Sequence, residues 1–175
     1  MHRRIGWVIV GVILAGGGQA FALDSGKAMI HGTTEDSPVT GTAVFKMTEG
    51  GNMSVVVDIE HASPGLHGLH IHQFGACDDA GKAAGGHYNP DAVKHGNVMK
   101  EGVIGAHAGD FGNIKIGPDG TGHLEVMAPA LALGGDRRTI GGRAIILHEK
   151  ADDFGQPTGN AGGRIACGTI VITGD

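Results

Sequence analysis

The sequence predicts an all-β domain, a sandwich or barrel built from eight short strands. Three observations carry that expectation. Glycine is abundant, at 34 of 175 residues, and no long stretch has helical periodicity. Short apolar runs recur along the chain, the clearest with period-2 alternation. Turn-forming clusters separate them: Ser37-Pro38, Glu49-Gly50-Gly51-Asn52, Ser63-Pro64-Gly65 and Pro118-Asp119-Gly120.

Residues 1–22 read as a secretory leader rather than as part of the fold. His2, Arg3 and Arg4 make a basic start, and Ile5 to Leu14 is an apolar run of ten residues. Ala20-Phe21-Ala22 fits a small-x-small cleavage site. The apolar run is too short to span a bilayer. The expected product is one exported domain, 23–175, of 153 residues.

The strands follow in order. Residues 28–32 are a weak first candidate and 43–47 a second. In the third, Met53, Val55, Val57 and Ile59 alternate with Ser54, Val56 and Asp58. The remaining five are 68–72, 114–116, 124–127, 143–148 and 164–172. Two segments break the pattern, 74–110 and 149–163. Loops this long in a compact domain are usually functional, and metal ligation would order the first.

Arg3 and Arg4 leave with the leader, so 11 basic residues face 18 acidic ones, a formal charge of −7. That balance lacks the basic stripe of a nucleic-acid partner. Cys77 and Cys167 are the only cysteines. In an exported protein an even count suggests a disulfide; free thiols or thiolate ligands are the alternatives.

Histidine is the commonest metal ligand, and six of the 11 form one series with an aspartate: His70, His72, His87, His95, His107, Asp110 and His148. Seven ligands make two four-coordinate sites if one histidine serves both. His70 and His72, at i and i+2, face the same side of a strand. A lone His-x-His also fits a polar strand face. His87, His95, His107 and Asp110 lie in the long loop, where glycines at 85, 86, 105 and 109 let the backbone fold closely around an ion. Three histidines and a carboxylate suit zinc.

Five motifs give these residues a specific resemblance. They are Gly65-Leu66-His67-Gly68-Leu69-His70-Ile71-His72, Ala84-Gly85-Gly86-His87-Tyr88-Asn89-Pro90, His107-Ala108-Gly109-Asp110-Phe111-Gly112-Asn113, His148-Glu149-Lys150-Ala151-Asp152-Asp153, and residues 159–168 ending in Arg164-Ile165-Ala166-Cys167-Gly168. In this order they resemble the copper–zinc superoxide dismutases over residues 27–173. The resemblance implies a flattened, eight-stranded Greek-key β-barrel of immunoglobulin-like sandwich architecture, with two long functional loops. It implies copper on His70, His72, His87 and His148, and zinc on His87, His95, His107 and Asp110. It gives His87 and Arg164 catalytic roles, the first as shared ligand and the second as guide for anionic superoxide. Asp152 matches the carboxylate that accepts from His70 and His95, and His67 a structural histidine. His2, His31, His61 and His123 have no matching role.

The chain departs from animal-type members in the 154–158 loop, which lacks their charged steering stretch, and in the Cys77–Ala84 subloop, which resembles bacterial ones. Activity, dismutation of superoxide outside the cytoplasm, is the expectation; no stable membrane insertion is expected, and the family includes monomers and homodimers. A rival reading is a non-catalytic copper or zinc binding protein of the same fold, for which Arg164 would have no use.

Overall fold

A computed structural model describes residues 24–135 and 137–173; the leader falls outside the described residues. The strands are β1 (Ser25–Gly32), β2 (Thr40–Met47), β3 (Met53–Glu60), β4 (Gly65–Ile71), β5 (Asp110–Ile116), β6 (Gly122–Ala128), β7 (Ala144–His148), β8 (Arg164–Thr169) and β9 (Val171–Ile172). They form one antiparallel sheet in the order β2-β3-β6-β5-β4-β7-β8-β1-β9, and the β1–β2 pairing closes it. The result is an eight-stranded barrel with β9 as a short extension. Strand β3 neighbours β6 while β4 lies between β5 and β7, so the β3–β4 and β6–β7 connections cross in Greek-key fashion.

The alternation in β3 sends Met53, Val55, Val57 and Ile59 into the core, all at most 1% exposed. Phe45, Phe111, Ile30 and Leu69 join them from other strands. The last predicted strand, 164–172, is interrupted. Ile170 N bonds to Arg143 O, and Gly142 N bonds to Ile170 O. This turns the chain onto the connection before β7, and β9 then pairs with the start of β1.

Strand β4 does not alternate: His67 to Ile71 are all buried. Leu69 and Ile71 face the barrel core, while His70 faces outward beneath the two long loops. Residues 74–109 hold a 3₁₀ turn (Lys82–Ala84) and one helical turn, α1 (Val98–Glu101), and β5 already begins at Asp110, the last residue of the segment expected to lack a strand. Backbone bonds also order this loop. Ile71 N donates to Gly109 O (2.9 Å), Tyr88 N to Ile71 O (2.8 Å) and Gly109 N to Tyr88 O (3.0 Å). Cys77 and Cys167 form a disulfide that ties the loop to β8.

Candidate metal centre

Two bulges aim the site. Between the pairs Gly68↔Asn113 and His70↔Asp110, β4 advances two residues and β5 three. The extra residue is accommodated at Gly112, whose φ of 76° is a left-handed conformation that glycine adopts freely. The slip sets Asp110 beside His70. Between Leu147↔Ala166 and His148↔Arg164, β8 carries the extra residue, and Arg164 comes to stand opposite His148. His72, just past the end of β4, bridges to the backbone of His87.

In the first cluster, one ligand-type atom from each of His70, His72, His87 and His148 lies within 4.8 Å of all the others. Outer partners fix the protons on three of these rings. His72 Nδ1 donates to Gly85 O at 3.0 Å and His148 Nδ1 to Gly162 O at 3.3 Å. His70 Nε2 donates to Asp152 Oδ2 at 2.8 Å. The inward nitrogens are therefore bare lone pairs. His72 Nε2 and His148 Nε2 face each other at 3.3 Å with no proton to share, and buried His70 Nδ1 has no hydrogen-bond partner. Converging lone pairs without a donor form a seat for a cation, and an all-imidazole set suits copper.

The second cluster gathers His87, His95, His107 and Asp110 within the same 4.8 Å limit. Asp110 Oδ1 is 2.9 Å from His87 Nδ1 and 3.2 Å from His107 Nδ1. His95 Nδ1 lies 2.7 Å from Asp110 Oδ2 yet makes no directed hydrogen bond to it. His95 Nε2 donates to Asp152 Oδ1 at 3.0 Å, so the ring lies between the two carboxylates with Nδ1 turned to the common centre. Protons on His87 and His107 hold the place of a divalent ion, and the three-nitrogen, one-oxygen set fits tetrahedral zinc. His87 belongs to both clusters; with Nδ1 turned to Asp110, Nε2 is left for the first.

Burial and like charge keep His72, His148 and His87 neutral. Burial above all, then neighbouring His87, Arg164 and His148, lowers His72 to about 2, despite the bond to Gly85 O. His148 falls to about 3 through burial and the nearby His70, His87 and Arg164. His87 falls to about 4, burial outweighing the bond to Asp110. For His95 burial is outweighed by Asp110 and Asp152, which raise it to about 9. Burial would raise Asp110, but bonds from His107, His87, His95 and Gly96 N hold it well below the usual carboxylate range.

A cleft of about 210 Å³ opens over the first cluster, lined by His72, His87, His148, Thr158, Asn160 and Arg164 among others. Arg164 is half-buried on its wall. Its Nη1 donates to Gly81 O and its Nη2 to Gly85 O, both at 2.5 Å.

The seven ligand candidates gather into the two clusters, and Asp152 accepts from His70 and His95. His67 is buried between two carbonyl oxygens, His148 O at 2.7 Å and Ser63 O at 2.8 Å. His123 is an exposed partner of Asp58, away from the clusters. Sequence reasoning misses three carboxamides. Asn89, Asn113 and Gln156 each bond both N and O of one residue, Val93, Asp152 and His95 respectively. Asn89 and Asn113 stand inside the quoted motifs and Gln156 in a ligand-rich loop, but none of these signals names a partner.

The copper/zinc superoxide dismutase (SODC) family model matches residues 39–170. A solved structure described as the clock protein EA4 is similar at 32% identity, with a TM-score of 0.76, over 89% of this chain and 98% of that one. The match runs from just before β2 to Ile170 and takes in every residue of both clusters. With two buried ligand sets joined at His87 on a Greek-key barrel, the chain belongs to the copper/zinc superoxide dismutase family.

Proposed function

We propose that the protein disproportionates superoxide: two superoxide ions and two protons give dioxygen and hydrogen peroxide. The observation that carries this reading is the convergence of bare imidazole nitrogens on the first cluster, open to a cleft that Arg164 lines. His70, His72, His87 and His148 would hold copper, and His87, His95, His107 and Asp110 zinc. Copper supplies the one-electron redox chemistry when bound.

The chain's residues do the rest. Arg164 places a positive charge on the cleft wall of a net acidic protein and so attracts an anion locally. His87 Nε2 holds a proton in the reduced half of the cycle and passes it to the departing peroxide. Asp110 anchors the other face of the same ring. Both ligand sets come from one chain, so one subunit suffices for the chemistry. Residues 1–22 would direct export to the periplasm or outer medium, where the Cys77–Cys167 bond persists.

Metal analysis and a superoxide-consumption assay on chain 23–175 test the proposal. One copper and one zinc per chain with rapid superoxide loss is the expected result. Bound metal without superoxide loss would favour the rival reading of a metal-binding protein. Absence of both metals after loading would end the proposal.

A further inference from the structure

The 154–158 loop, Phe154-Gly155-Gln156-Pro157-Thr158, has no charged residue and so offers nothing to steer an anion. Its Gln156, an exposed residue, bonds instead to the main chain of His95, a member of the second cluster. His95 N donates to Gln156 Oε1 at 3.1 Å, and Gln156 Nε2 donates to His95 O at 2.9 Å. The carboxamide takes both polar groups of one peptide residue, as a neighbouring strand would. His95 needs such a partner: it is 2% exposed and sits in a segment with neither helix nor strand.

The wider 149–163 loop grips His95 twice. Asp152, four residues before Gln156, accepts from His95 Nε2. Asp152 is itself held by Asn113, which accepts from Asp152 N at 2.7 Å and donates to Asp152 O at 2.9 Å. His95 is thus fixed at its main chain by Gln156 and at its ring by Asp152, leaving Nδ1 aimed at Asp110. The four members of the first cluster do not include His95.

We propose that Gln156 is a positioning residue for the zinc set, fixing the main chain of His95 so that its ring nitrogen stays aimed at the ion. This rests on reading the second cluster as a zinc site. A ligand whose main chain can shift holds its ion less tightly. Loss of such an outer partner typically weakens metal binding about 10- to 100-fold. The copper set, which does not use His95, should be spared.

Two variants of similar side-chain length test this in the full chain loaded with copper and zinc. Gln156→Glu keeps an acceptor for His95 N but sets a carboxylate oxygen against His95 O. Gln156→Met removes both bonds. The readouts are zinc release to a chelator, copper retention, and the visible spectrum of cobalt(II) bound in place of zinc. We expect zinc release to accelerate at least about tenfold. We also expect altered cobalt bands, with copper retention as in the wild type. Wild-type zinc release and cobalt bands in whichever variants fold would overturn the inference. So would loss of both metals together, since Gln156 would then support the fold in general. A wild type that takes up neither zinc nor cobalt would overturn the zinc reading and this inference with it. A wild type that binds both, with unaffected variants, would overturn the inference alone.

Discussion

Arg164 is held at both ends of its guanidinium by the carbonyls of Gly81 and Gly85, and the bulge in β8 sets it opposite His148. Gly85 O also receives His72 Nδ1, so one carbonyl orients both the arginine and a ligand. Arg164→Glu reverses the charge in the cleft without removing a ligand, and superoxide consumption should fall roughly tenfold or more. Arg164→Lys should keep part of the activity, since the charge survives but the planar fork does not. Metal content measured alongside the rates separates guidance from damage; an unchanged rate in Arg164→Glu would leave the arginine a structural residue. At this scale the sequence is readable where chemistry is rare. Histidines in this density have few uses, and so the seven ligands stand out. Gln156 does not, because a carboxamide serves anywhere and its partner His95 is 61 residues away.

The elements follow their apolar patterns where those patterns face one core. Strand β3 is legible because one face is buried and the other is not. Strand β5 begins at Asp110, four residues before its apolar run, because pairing with β4 rather than side-chain character extends it. Neither bulge is written in a local pattern; each depends on which residues of a distant strand stand opposite. The loop between β4 and β5 is tied by backbone bonds, by the Arg164 and Thr169 side chains, and by Cys77–Cys167, whose partners are 90 residues apart. Cys167→Ser removes that tie. In the chain-entropy picture the loss reaches about 4–5 kcal/mol, and metal retention should weaken with it because Gly81 and Gly85 lie in the released segment. Urea unfolding and chelator challenge measure the two effects; a variant as stable and as metal-tight as the wild type would show that the loop holds without the disulfide.

Across the whole molecule the buried histidines make the metal-free protein sensitive to acid. His72, His87 and His148 have folded values near 2, 4 and 3, below the unfolded value of 6.5. The stability they permit is complete above pH 6.5 and is lost as pH falls toward those values, because the unfolded chain takes up protons first. His95, raised to about 9, acts oppositely: its contribution is full below 6.5 and fades as pH rises through 9. The metal-free protein should therefore be most stable near neutrality. Its urea stability at pH 5 should lie below that at pH 7 by at least about 1 kcal/mol. Equal or greater stability at pH 5 would contradict this account. The strand order has a consequence for how the protein is made. His70, His148 and Arg164 belong to β4, β7 and β8, adjacent in the barrel but spread across 95 residues of chain. No early fragment of the chain holds the complete first cluster, since His148 arrives only with β7. The first cluster is therefore a checkpoint on assembly: a chain that has not brought β7 against β4 has no four-histidine seat to offer an ion.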